Sequence, residues 1–229
     1  MLPNKGQCFI ELAVNPPILA LARRLIGKAC IVSEFSARIT KPGSPAMDLH
    51  SDQWWLPQPV MASERQQPVA DIERKQAGLN NPNPAQGAIA PRVVLTVLYA
   101  LADVTAEMGP TRLVPGSHLS GGVPKKGKDF ATVSPELTKG DAIAFDGRLW
   151  HGSNPNKSDR DRLTALILYT GPQFRQLTNY TYGLRPDLEA TLSDEERDVL
   201  GYRVWNSYGA TDDYSAVYAT PGNRNTGEL

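Results

Sequence analysis

Hydrophobic and polar positions change period several times along this chain, and each change marks an element. Asn15-Pro16-Pro17 offers a cap residue followed by proline at a first helical position. Ile18, Leu21, Ala22 and Leu25 then recur at helical spacing, and Gly27 is a stop, so residues 16–26 are predicted helical. From Cys30 to Thr40 the pattern switches to apolar residues among small polar ones, which reads as a strand. Lys41-Pro42-Gly43-Ser44-Pro45 is a turn, and residues 50–55 read as a short strand. Residues 93–101 are almost continuously apolar and form the strongest strand signal. Further strands are predicted at 111–114, closed by Pro115-Gly116-Ser117, at 142–145, and at 163–170. Ser193-Asp194-Glu195-Glu196 is a capping box opening a helix that ends at Gly201.

Residues 56–91 break this rhythm. They are rich in proline, asparagine, glutamine and alanine and carry little periodicity. Long segments of this kind are usually functional or mobile. The stretch is expected to be a long surface loop, either a lid over a site beside Asp52 or a solvated insertion.

Composition narrows the class. Many strands, few helices and 19 each of glycine and proline suggest a β-sandwich or jelly-roll barrel. A length of 229 residues with 41% hydrophobic content suits a single domain with a full core. Lysine plus arginine equals aspartate plus glutamate, 24 each, so no basic excess points to nucleic acid. Residues 18–26 are interrupted by Arg23-Arg24 and are too short to span a bilayer. The first residues lack the pattern of a signal peptide. Cys8 and Cys30 read as free thiols. These features lead to an expectation of a cytoplasmic protein without nucleic-acid or membrane partners.

Only three histidines occur, and two stand where a metal would need them. His50-Ser51-Asp52 is an H-x-D pair, and His151 follows the strand-like run at 142–145. On a strand, residues i and i+2 share a face, so His50 and Asp52 could reach one ion. Two imidazoles and one carboxylate form the facial triad of non-haem Fe(II) oxygenases, with open positions opposite. An H-x-D tripeptide alone is weak evidence, and each histidine could equally serve packing. Arg162 adds weight. A buried guanidinium needs an anion, and its fork suits a carboxylate such as the far end of an iron-chelating dicarboxylate. It could instead form an ion pair with Asp141 or Asp146. Arg160 lies in the polar turn 156–161 and reads as solvated. Ser153 could donate to the same carboxylate or be an ordinary turn hydroxyl. His118 sits in a turn context that favours a structural role. Trp54, Trp55 and Trp150 flank the candidate ligands and could line an apolar substrate pocket.

Three segments together resemble the phytanoyl-CoA dioxygenase family of Fe(II)/2-oxoglutarate-dependent oxygenases. They are His50-Ser51-Asp52-Gln53, Thr111-Arg112-Leu113-Val114-Pro115-Gly116-Ser117-His118, and residues 140–152 with Arg162 beyond. The resemblance covers residues 8–205 and implies a mainly β double-stranded β-helix, jelly-roll and cupin-like, with a few flanking helices. It implies iron on His50, Asp52 and His151, and the far carboxylate of 2-oxoglutarate on Arg162 with Ser153 assisting. Thr111 resembles a position near the co-substrate. The implied activity is hydroxylation, or another oxidation, of a small organic or natural-product molecule with O₂. Aspartate at 52, where halogenating relatives carry glycine or alanine, favours a hydroxylase. Only fifteen residues precede the first helix, so the family's usual N-terminal extension is expected to be absent, and Met108 stands where the family commonly has asparagine. Two other readings stay open: a cupin-like metalloenzyme that does not use 2-oxoglutarate, and a non-catalytic ligand-binding barrel.

Overall fold

The computed structural model describes residues 1–53, 91–120, 122–211 and 214–219. In chain order the elements are α1 (Gln7–Ala13), α2 (Pro16–Leu25), β1 (Ile31–Thr40), β2 (Val94–Ala100), β3 (Thr111–Leu113), β4 (Ala142–Asp146), β5 (His151–Ser153), β6 (Arg162–Thr170), α3 (Tyr180–Gly183), α4 (Pro186–Glu189) and α5 (Asp194–Val199). Four strands form one sheet in the order β1-β6-β2-β4, and β3 pairs with β5 in a second. The mainly β architecture with a few helices is the one expected from the sequence. β2 and β4 run antiparallel: Gly147 N–H donates to Val94 and Ala100 N–H donates to Asp141.

The chain groups into two compact units. The first comprises residues 1–37, 95–98 and 165–229; the second comprises 38–94 and 99–164. In the first, α2 begins with Pro16 at its first turn, as predicted, although the Asn15 side chain makes no capping bond. Its Leu19 and Ala22 are buried. The capping box at α5 forms in full between Ser193 and Glu196. Glu196 is buried and also accepts a 2.7 Å bond from Gln7 Nε2, which joins α5 to α1. At the other end Gly201 takes a positive φ of 85°, and Tyr202 N–H returns to the Arg197 carbonyl. Helix α1 was not foreseen. Its buried Ile10 and Ala13 give too short a periodic run to stand out in the sequence.

Differences from expectation cluster around residue 50. His50 makes a single bridge to His151, and Asp52 and Gln53 lie in a turn, so the described part of the predicted strand at 50–55, residues 50–53, keeps one bridging residue. A bridge and a turn suffice because the partner, β5, is itself only three residues long. Trp54, Trp55 and almost all of 56–91 lie outside the described residues. Among the described residues no helix is long and apolar enough to cross a membrane. Cys8 is exposed and Cys30 buried, both as free thiols, and burial pushes the Cys30 thiol up to about 11.

In the first unit Tyr169, fully buried on β6, donates its hydroxyl to the Ala13 carbonyl at 2.8 Å. Tyr169→Phe should therefore leave that carbonyl without its donor and lower unfolding free energy by about 1–3 kcal/mol. Chemical denaturation of the two proteins measures the difference; equal midpoints and slopes would contradict it.

Candidate metal and anion site

The second unit brings His50, Asp52 and His151 together. One donor atom from each lies within 4.8 Å of the others. Asp52 Oδ1 is 3.7 Å from His50 Nε2, and Asp52 Oδ2 is 3.5 Å from His151 Nε2. Donors about 2.1 Å from a shared ion and at right angles stand about 3 Å apart, so the cluster is close to a ligating arrangement. The two imidazole centroids are 4.3 Å apart with ring planes tilted by 50°.

Backbone geometry fixes both rings. His50 and His151 exchange N–H···O bonds of 2.9 Å in each direction, which sets their side chains on one side of the bridge. His50 Nδ1 lies 3.1 Å from the Asp48 carbonyl, and His151 Nδ1 lies 3.0 Å from the Leu149 carbonyl. A carbonyl accepts only from N–H, so each Nδ1 donates to its carbonyl and each Nε2 faces Asp52. His151 is buried against the Phe145 ring at 4.7 Å. Burial, followed by the neighbouring His50, holds its imidazole below the ordinary histidine value against the opposing pull of Asp52. A neutral imidazole is the form a metal ligand needs.

Three further contacts hold this geometry. Asp146, at the end of β4, takes a bidentate bond from Arg148 at 2.6 and 2.8 Å, and Arg92 stands 3.8 Å away. Burial works against its ionisation, but the Arg148 fork and Arg92 outweigh it and hold the carboxyl below the usual range. This pair shapes the turn that leads into His151. Gln53 is 5% exposed and clasps the start of β2: its Oε1 accepts from Val93 and Val94 N–H, its Nε2 donates to Pro91, and its own N–H donates to Gly147. The residue after Asp52 is thus tied on both sides. Gly152 allows the segment 47–50 to lie against β5, since a Cβ there would stand 2.7 Å from the Met47 carbonyl oxygen and 3.1 Å from that of Asp48.

Arg162, at the start of β6, is 6% exposed. It donates to the Gly109 carbonyl and, at 2.9 Å, to Thr40 Oγ1. Its Nε is buried and has no hydrogen-bond partner. Asp141 instead accepts from the Thr138 N–H and Asp146 holds Arg148, so neither supplies the ion pair that the sequence left open. Burial alone depresses the guanidinium pKa, with no anion to counter it. The remaining donor capacity fits an incoming carboxylate. Arg160 is exposed in its turn. Pairing of β3 with β5 sets Thr111 opposite Ser153 and Leu113 opposite His151. By strand alternation Thr111, Ser153 and His151 share one face of this sheet. His118 lies apart, in the short 3₁₀ turn Ser117–Leu119. The Trp150 indole is engaged with Phe130 and with the Gly122 carbonyl.

The sequence profile of the phytanoyl-CoA dioxygenase family matches residues 2–164. The chain belongs to this family. It is 33% identical over 204 residues to dioxygenase af480 of Aspergillus fumigatus, covering 87% of this chain and 56% of that protein. It is 29% identical over 166 residues to dioxygenase cdmA of Talaromyces verruculosus, covering 71% and 47%. The chain spans about half the length of the curated relatives it matches. Among solved structures, the non-heme alpha ketoglutarate dependent epimerase SnoN from nogalamycin biosynthesis aligns with a TM-score of 0.51 at 22% identity, over 83% of this chain and 67% of SnoN. That likeness concerns the fold, the double-stranded β-helix of this family's non-heme enzymes.

Sequence reasoning found the His-x-Asp, the distal histidine and the arginine. It did not find Gln53, Gly152, Gly109 or Thr40, which place them. Gly152 beside His151 and Gly109 before β3 were visible as glycines, but the backbone each one meets was not. Gly152→Ala should push the 47–50 segment, and with it His50, off its position. Divalent-metal affinity should fall roughly 10–100-fold, with a stability loss of about 1–3 kcal/mol. Metal titration monitored by calorimetry checks this; unchanged affinity would mean that the segment yields without moving His50.

Proposed function

We propose that this chain is an Fe(II)/2-oxoglutarate-dependent dioxygenase that hydroxylates, or otherwise oxidises, a small organic molecule of the natural-product class. The observation that carries the reading is the His50–Asp52–His151 cluster, with both Nε2 atoms facing one carboxylate. Membership of a dioxygenase family supports it. So does the buried, unpaired Nε of Arg162. SnoN has been solved with Fe3+, alpha ketoglutarate and nogalamycin RO, which is consistent with the same chemistry on this scaffold.

In this reading His50, Asp52 and His151 are the three protein ligands of the metal. Asp52 supplies the charge that favours a divalent ion over none, and three ligands on one side leave the opposite side for small molecules. Bound iron, with 2-oxoglutarate and O₂, supplies the oxidation of an unactivated C–H bond. Arg162 holds the far carboxylate of 2-oxoglutarate and so fixes its distance from the ligand cluster. Thr111 and Ser153, opposite one another on the face that carries His151, offer hydroxyls to the co-substrate's polar atoms. The low basicity that burial gives His151 keeps its lone pair available at neutral pH.

The test is O₂-dependent release of succinate from 2-oxoglutarate by the Fe(II)-loaded chain, screened with candidate substrates. A protein that binds metal yet releases no succinate under any of these conditions would contradict the reading. His151→Ala should abolish Fe(II) retention and succinate release while keeping the parent's far-UV circular dichroism; normal iron loading would refute the ligand assignment. Arg162→Ala should raise the 2-oxoglutarate concentration needed for half-maximal rate steeply, because losing the partner of a desolvated carboxylate costs about 2–5 kcal/mol. Arg160→Ala should change it little. Equal sensitivity of the two variants counts against Arg162.

A further inference from the structure

Between Met47 and His50 the ligand-bearing segment takes one residue more than the strand it lies against. Met47 N–H donates to the Ser153 carbonyl at 3.0 Å, and His50 and His151 exchange their bonds at the other end of β5. Asp48 and Leu49 thus stand opposite Gly152 alone, which is the two-for-one count of a β-bulge. A bulge re-aims the side chain that follows it, but it disrupts the ladder locally, and the backbone groups it frees need other partners. The Asp48 carbonyl takes its proton from His50 Nδ1 at 3.1 Å. The Met47 carbonyl takes its proton from Arg112, whose Nη2 donates at 2.8 Å from 65 residues along the chain.

Arg112 lies on β3 directly opposite Gly152. Opposed residues of an antiparallel pair leave the sheet on the same side, so the Arg112 side chain rises beside the place where a side chain at 152 would stand. That place is taken, since a Cβ on Gly152 would lie 2.7 Å from the Met47 oxygen. The glycine opens a lane across β5, and the guanidinium uses it to reach the bulge. Arg112 Nε is buried and, among the described residues, has no partner. Burying an unpaired donor is unfavourable, so the bond at Nη2 is what holds the arm there. We propose that Arg112 is a positioning residue for the metal ligand His50: it fixes the bulge at Met47, and the next carbonyl of that bulge fixes the His50 ring through Nδ1–H. This inference rests on the reading of His50 as a metal ligand and adds the element that orients it. The Arg112 side chain leaves β3 on the face away from Thr111, Ser153 and His151, so it acts through the bulge and not on the cluster directly.

The experiment is Zn(II) titration of the full chain, read by calorimetry and by the nitrogen–proton correlation spectrum of its 3 histidine side chains. Arg112→Met keeps the stem of the side chain and removes its donors. It should weaken Zn(II) binding about tenfold. It should also speed solvent exchange of the His50 Nδ1 proton, while that of His151, held by the Leu149 carbonyl, exchanges as in the parent. Gly152→Ala displaces the same Met47 carbonyl, so the two substitutions together should weaken binding no further than the more damaging one alone. Should the methionine variant not fold, Arg112→Leu serves in its place. Parent-like affinity and His50 exchange in the folded variant overturn the assignment to Arg112 and leave the ligand set standing. Losses that add in the double variant also overturn it, as does equal acceleration at both histidines, because each marks a general loosening. Failure of the parent itself to bind Zn(II) overturns the metal-site reading and this inference together.

Discussion

Two backbone hydrogen bonds, exchanged between His50 and His151 at 2.9 Å each, hold together parts of the chain that lie far apart in sequence. The side chains of a directly opposed antiparallel pair leave the backbone on the same side, so the bridge decides that the imidazoles face one another. Everything else in the site supports that pair. Carbonyls of Asp48 and Leu149, each two residues before its histidine, take the Nδ1 protons. Asp52 closes the cluster because the turn at 52–53 begins directly after the bridge. A slip of one residue in this register would send one ring to the opposite side.

Electrostatically the unit is arranged around unfulfilled demand. Burial holds one imidazole below its ordinary value beside a carboxylate that pulls the other way. A guanidinium is buried with a spare donor and no carboxylate of its own. Two carboxylates elsewhere are fully paired. Asp146 has two arginines, and Glu196 has a full set of donors from Ser193 and Gln7. Arg162, with no carboxylate partner, stands apart from these two paired carboxylates.

Much of this was legible in the residues. Period-two and continuous apolar runs gave β1, β2, β4 and β6 to within a residue or two, and local capping chemistry gave α2 and α5. The H-x-D pair, the distal histidine and the choice of Arg162 over Arg160 followed from where each stood relative to those runs. What escaped were features made by contact at long range. β5 is three residues with a glycine in its middle, too short for any periodic signal. Residues 50–55 read as a short strand, yet among the described residues 50–53 only His50 pairs. The clearances at Gly109 and Gly152 depend on backbone that comes from other segments. No local pattern encodes them.

Gln53 closes a stem. Its amide oxygen and nitrogen, with its own N–H, hold together the residues that enter and leave the stretch between Asp52 and β2. Asp52 is thereby anchored from its own C-terminal side by a neighbour that grips the start of β2 and the turn after β4 at once. The one carboxylate of the cluster takes its position from β2 as well as from the bridge, so a change at residues 91–94 reaches the ligands without touching any of them.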